Sequence, residues 1–464
     1  MHSPSLARSL RLRPLTAVVA LALAAGATGG VGASGPGATR APVAAPHGHA
    51  ARPFAGTVPL APQGITRTVQ NCNDSGSGSL REAYFLAGDQ DTVDLGHLAC
   101  SRITLTTGAL SPPVNPPASV TLLGPASKQF VIDGSGIDSV LIHRGAGTLL
   151  INGLTITNGK HLGAYGGGCI YSAGNVALIG STVSGCRLTS TGNSVARGGA
   201  IFAKVDVSLL FSSVTGSTVY SPGSHSAGGG IYARKASLIR SAVSGNAASS
   251  APSYALGGGV FTTSSLYAQS STISGNSASE GAAVFSGSAV IIDSTISGND
   301  ASAVGGVYAR NYAQVYNSTI VKNTSFLTDY AAGLFVAAPN NITLQSSIVA
   351  LNSIDATVVD IGASGVATTI VGANNLVTAV AAGITVPNGT IVADPQIGLL
   401  GNNGGPTQTH ALRWNSPAID HGNNLRPLDF DQRGFERVTG ASVDIGAFEF
   451  VDAIFDNGFD PVIE

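Results

Sequence analysis

Cleavage of an acidic polysaccharide needs clustered carboxylates, acting as acid and base or holding calcium, with an Arg or Lys beside them. Between positions 166 and 352 the acidic residues are Asp206, Glu280, Asp293, Asp300 and Asp329. Asp293 and Asp300 flank Ile296 and read as isolated, solvated strand or turn residues rather than a catalytic pair. No H-E-x-x-H, G-x-S-x-G, P-loop or paired C-x-x-C occurs. Charge is densest near the C-terminus, from Asp394 through Asp420, Asp431, Arg433, Arg437 and Asp444 to Glu449. That cluster could hold calcium or a ligand, but it reads better as Asp and Arg pairing to hold a loop-rich module together. No catalytic residue, metal ligand or cofactor is assigned; His47 and His49 are a weak metal signal in a linker.

Binding chemistry is easier to place. Three long segments, Arg187 to Arg197, Thr218 to Ala227 and Ala247 to Leu256, interrupt a Ser/Ala background with Arg187, Arg197, Tyr220, His225 and Tyr254. These five are the candidate ligand-binding residues, because loops set on a rigid scaffold are where binding usually resides.

What must position them is a repeat. A Gly-Gly-x-aliphatic-aromatic pattern places Ile170, Ile201, Ile231, Val260, Val284, Val307 and Leu334 at intervals of 31, 30, 29, 24, 23 and 27. A second pattern, Ser-x-aliphatic-x-x-Asn, follows it 12 to 15 residues later, measured between the aliphatics. One half of the repeat is nearly fixed in length and the other varies, as a solenoid with loops on one face requires. The fixed half is short, β-branched and punctuated by Gly, Ser and Asn, which favours strands. Asn246, Asn276, Asn299, Asn323 and Asn352 recur at 30, 23, 24 and 29. Stacked about 4.8 Å apart, these amides form an internal, structural ladder. The expected fold is all-β: a right-handed parallel β-helix over 103–390 with a short N-terminal helical cap and a loop-rich C-terminal cap.

Composition agrees. Charged residues make up 10% of 464, against about 25% in globular chains, while hydrophobics reach 44% and glycines number 61. A narrow apolar core under a Ser/Thr/Gly surface fits. The net charge of −2 gives no reason to expect nucleic acid.

The first residues read as a signal peptide over 1–27, with Arg8, Arg11 and Arg13 before an apolar run that is too short to span a bilayer. An Ala/Gly/Pro-rich linker over 28–62 follows, and downstream no run of 18 apolar residues appears. In an exported chain four cysteines suggest disulfides. Cys72 and Cys100 bracket one short N-terminal module, 63–102, and are expected to pair; Cys169 and Cys186 share a later repeat and either pair or fill small buried sites. Within that module Ser79-Leu80-Arg81-Glu82 is a capping box, starting a helix over Leu80 to Ala87 that lids the first coil.

Asn71-Cys72-Asn73-Asp74, Gly78-Ser79-Leu80-Arg81-Glu82-Ala83 and Asp91-Thr92-Val93-Asp94 resemble the CSLREA-type module of bacterial secreted proteins. Over 391–450, Asn402-Asn403-Gly404-Gly405-Pro406-Thr407, Ser416-Pro417-Ala418-Ile419-Asp420, Asp431-Gln432-Arg433-Gly434 and Asp444-Ile445-Gly446-Ala447-Phe448-Glu449 resemble a choice-of-anchor module, with a tail over 451–464. The repeats between are similar to those of polymorphic outer-membrane-type β-helix proteins. The resemblance implies export and surface display, and no reaction. The sequence therefore points to a secreted or surface-displayed non-catalytic scaffold, adhesin-like and monomeric. Its partner would be a cell-surface or matrix glycan or protein. The alternative is an extracellular polysaccharide lyase or glycoside hydrolase of the β-helix type.

Overall fold

The computed structural model describes residues 64–451, apart from 113–115, 127–128, 164–165, 252, 339–340 and 366. The expected signal peptide, the linker with His47 and His49, and the tail beyond Val451 lie outside the described residues.

Each coil is built from short strands separated by tight corners. In one coil these are Val284–Ile292, Thr295–Ser297 and Asp300–Ala301. Every strand pairs in parallel with its counterpart one coil along: Val284 with Val307, Ile296 with Ile320, Asp300 with Thr324. Among the described residues the pairs accumulate into faces of 16, 11 and 9 strands, a parallel β-solenoid. Because side chains alternate along a strand, aliphatic columns on each face point inward. Ile170, Ile201, Ile231, Val260, Val284, Val307 and Leu334 are wholly buried from the first face, as are Val183, Val214, Val243, Ile296 and Ile320 from the second.

The corners decide whether such a stack holds, because each carries backbone N–H groups that no strand pairs. From the first face to the second the chain turns through one residue with positive φ, such as Arg240 (48°), Asp293 (49°) or Asn317 (45°). A buried serine follows. The N–H groups of Ser241, Ser271, Ser294 and Ser318 each donate to the serine Oγ one coil on, at 3.1 Å. At the next corner Gly245, Gly275 and Gly298 hold φ of 62–64°, where a Cβ would be strained. The asparagine after each supplies the acceptor. The N–H and Nδ2 of Asn246, Asn276, Asn299 and Asn323 donate to the Oδ1 of the following asparagine, at 2.8–3.1 Å. The column ends on a buried carboxyl: Asp360 accepts from the N–H and Nδ2 of Asn352, both at 2.9 Å. At its other end Ser217 and then Cys186 take the asparagine position, and Cys186 is bonded to Cys169.

At the N-terminal end the helix Leu80–Phe85 lies over the first coils, with Leu80 and Tyr84 buried and Ser79 Oγ accepting from the Glu82 N–H. It stops two residues short of Ala87. Glu82 reaches the N–H of Gly78 at 2.6 Å rather than that of Ser79. Cys72 and Cys100 form a disulfide.

The loop-rich residues after 391 cap the solenoid from the side, along the outer surface of the second face. There the outward Thr272, Ser274, Thr295, Ser297 and Thr319 are buried, whereas Thr182, Ser184, Ser213 and Thr215 of earlier coils remain partly open. Thr295 Oγ1 donates to Gln432 Oε1 at 2.6 Å, Ser297 Oγ meets His410 Nε2 at 2.8 Å, and Thr319 Oγ1 accepts from the Ala447 N–H at 3.0 Å. Ile348 and Leu376 pack against Ile397, Leu412, Ile445 and Phe448. One sequence reading is corrected here: Asp293 is not solvated. It lies under this layer, 2% exposed, with the wholly buried Arg437 at 3.5 Å. A corner carboxylate facing a docked arginine looks, in sequence, like any other turn residue.

Two outcomes follow. Replacing Asn276 or Asn299 by Leu removes an acceptor and strands the neighbouring N–H, so thermal or denaturant unfolding should show a loss of about 1–3 kcal/mol; equal stability would place these amides in solvent. The second concerns pH. Burial pushes Asp293 and Glu449 up to about 7 and Asp444 up to about 6, and pushes His410 down to about 4. The raised carboxyls give stability that is present when protonated and lost as pH rises through 6–7; His410 gives stability that is lost as pH falls from its ordinary value toward 4. Three carboxyls outweigh one imidazole, so unfolding should occur at higher temperature near about pH 5.5 than near about pH 8. The reverse order would contradict the buried placement of these groups.

Candidate ligand-binding site

The segments read as long loops are arms with strands of their own. Arg187–Thr189, Thr218–Ser221 and Ala247–Ser250 run outward as parallel neighbours in the third face. After a turn the chain returns through Ala196–Arg197, Ser226–Ala227 and Ala255–Leu256, a separate three-stranded parallel sheet. Leu188, Ala196, Val219, Ala248 and Ala255 fill the space between the outgoing and returning strands. The arms thus form a rigid ridge.

The five sequence candidates distribute over it unevenly. His225 and Tyr254 come together near the tips: their rings stack at 6.0 Å and 5° apart in plane, and Ser253 Oγ lies 2.7 Å from His225 Nδ1. Tyr254 is 61% exposed. Tyr220 is half-buried on an outgoing strand, in register with Thr189 and Ser249. Arg187 and Arg197 sit at the base. Arg187 lines a shallow groove with Asp133, Asn158 and Lys160, and the Arg197 guanidinium lies 5.6 Å above the Tyr232 ring.

That ring belongs to a column built by the glycine pattern. Tyr171, Phe202, Tyr232, Phe261, Phe285, Tyr308 and Phe335 project outward from the first face, with consecutive centroids 4.6–5.6 Å apart. Ala227 and Leu256 of the returning strands pack on it. In the next coils the arms shorten to Ser277–Ala278 and Asp300–Ala301. The segment after Thr324–Ser325 is longer again and presents Phe326 (55% exposed) and Leu327 (45%) before Tyr330. Two low coils between taller flanks make a notch.

Beneath it lie Phe285, 5% exposed with the Arg310 guanidinium 5.0 Å over its ring, and the half-buried Tyr308, 4.6 Å away. Glu280 rises from the near wall, its N–H donating to Ala255 O at 3.0 Å. On the far side Tyr330 packs against Phe335 at 5.0 Å, beside the exposed Asp329. Burial raises the Glu280 carboxyl, and the Arg310 charge partly opposes it. Burial, then the Glu280 charge, raises the phenols of Tyr308 and Tyr330; Asp329 and Tyr254 also act on Tyr330. A carboxyl, a guanidinium and the phenols of the half-buried Tyr308 and Tyr330, brought together here, can hydrogen-bond the hydroxyls of a sugar. In the sequence Glu280 was counted only among the few acidic residues, and Tyr308, Arg310 and Tyr330 were assigned to no site. The signal was there: the intervals of 24 and 23 mark the coils whose arms are short.

Among the described residues no three His, Cys, Asp or Glu side chains converge as a metal-ligating group, and no helix is long and apolar enough to cross a membrane. No known protein family and no curated protein matches the chain. Among solved structures, the crystal structure of pectate lyase Pel9A is similar with a TM-score of 0.45 and 13% identity, over 83% of this chain and 96% of that one.

The electrostatics of the notch can be read directly. Side-chain carboxyl NMR should find Glu280 titrating above the ordinary glutamate value, and Arg310→Gln should move it higher still, because an opposing positive charge is removed. A Glu280 value unchanged by Arg310→Gln would mean the two groups do not face each other.

Proposed function

We propose that the chain is an exported, non-catalytic scaffold displayed at the cell surface, which binds a glycan at the notch between the ridge and the Phe326–Tyr330 segment. The observation that carries this reading is the exposed His225–Tyr254 stack, close to Glu280 and Tyr330. Exposed rings held rigid offer sugar-sized apolar area at little entropic cost. The two disulfides fit an oxidising compartment. On this reading the CSLREA-like and anchor-like modules serve export and display, and the solenoid works as a monomer without cofactor or nucleic acid.

The test is retention of the purified chain on immobilised cell-surface glycans. His225→Ala/Tyr254→Ala should weaken binding about tenfold, an effect of about 1.4 kcal/mol. Trimming the three arms to the length of Ser277 to Glu280 should abolish it. Unchanged retention by a folded, trimmed chain would remove the ridge from the site. Release of reducing ends or unsaturated sugars would instead favour the hydrolase or lyase alternative.

A further inference from the structure

A lane of cations runs beside the aromatic column. Two residues after Phe202, Tyr232 and Tyr308, and after Ile142 in the coil before Tyr171, the first face bends outward and the exposed side chains are Lys204, Arg234, Arg310 and Arg144, with the half-buried Lys235 next to Arg234; after Tyr171, Phe261, Phe285 and Phe335 the same position holds Ala173, Thr263, Gly287 and Ala337. Pairing brings the cations to the same bend of successive coils without fixing them residue to residue. Phe202 is in register with Tyr232 before the bend and Asp206 with Lys235 after it, a shift of one residue between; Ser286 is in register with Ala309, which precedes Arg310, and the register shifts again just beyond. Lys204 and Arg234 are one coil apart and Arg310 lies three coils on, while Arg144 lies two coils before Lys204. At about 4.8 Å per coil the lane is about 30 Å long.

Few acidic groups oppose it. Asp206 pairs with Arg234 at 2.9 Å, and Glu280 acts on Arg310 from across the notch. Among the described residues Lys204 and Lys235 form no ion pair of their own. Lys204, Lys235 and Arg144 thus leave unopposed positive charge along this side of the stack. Between the cations Thr263, Ser264 and Asn311 are exposed and hydrogen-bonding, Ser265 is half-buried, and Gly287 is buried beneath them. Gly287 has no room for a side chain: a Cβ there would meet Ser264 O at 2.3 Å.

We infer that the ligand is a linear acidic polysaccharide, lying along the coil axis with its anionic groups on this lane and one sugar seated in the notch. A row of cations one or several coils apart suits a linear anion better than a compact one. The adjoining rings and hydroxyls suit sugars. The sugar-seating half of this inference rests on the notch reading; the charge half does not.

The experiment measures binding of the full chain to alginate, dextran sulfate, uncharged dextran and single-stranded DNA. The comparison variant is Lys204→Gln/Lys235→Gln, which leaves the notch intact and substitutes only side chains at the surface. The parent chain should bind alginate or dextran sulfate ahead of dextran and lose that binding in about 1 M salt, where charges are screened beyond about 3 Å. The double variant should bind about tenfold more weakly. Failure of the parent to bind either acidic glycan, equal binding by the double variant, or tighter binding of the DNA would overturn the inference. If His225→Ala/Tyr254→Ala binds alginate normally while the lane variant does not, the polyanion assignment stands and the notch reading falls.

Discussion

A parallel solenoid must bend its chain at every coil, and each bend buries backbone N–H groups that no strand can satisfy. In this protein the acceptor comes from the side chain of the next coil: a serine Oγ at one corner, an asparagine Oδ1 at the other. Leaving such a group unpaired costs more than making one ordinary hydrogen bond gains. The corners therefore fix the register between coils more strictly than the aliphatic core does, since a core of Ile and Val tolerates sliding. The asparagine column also has a defined end. Asp360 accepts from both nitrogens of Asn352 and, through its second oxygen, from the N–H groups of Thr378 and Ala379; burial holds it up at about 6.

Fixed register on the inside becomes aligned columns on the outside. Because the coils cannot slip, the residue after each inward aliphatic falls directly above its counterpart, and Tyr171 through Phe335 become a continuous stack. The same alignment makes the arms pair with one another and brings His225 over Tyr254. On the second face it produces rows of outward hydroxyls that are half covered by the C-terminal residues. Both the docked layer and the candidate site use surface patterns that the interior imposes.

How much of this was legible depended on period. The two patterns, the asparagine column and the N-terminal disulfide could be read because they repeat or bracket a short module. The serine corner was visible as a recurring letter, but its hydrogen bonds were not, since Ser is also the commonest surface residue of such a chain. The arms looked like loops because their returning strands, such as Ala196–Arg197, are two residues long and carry no alternation. Asp293 looked solvated because its partner Arg437 lies far along the chain and reaches it only through docking. The notch was hidden for a related reason: Glu280 belongs to a different coil from Arg310 and Tyr330, and only the stacking of coils makes them neighbours.

The account rests on the corner N–H groups being satisfied from the next coil, and amide hydrogen exchange reads that directly. The N–H groups of Asn276, Asn299 and Asn323, with those of Ser271, Ser294 and Ser318, should be among the slowest to exchange in the chain. They should open only with global unfolding, while the ridge amides of Ser226 and Ala255 exchange faster. Corner amides that exchange as quickly as those of exposed turns would contradict the account, because the coils would then be held by their core alone.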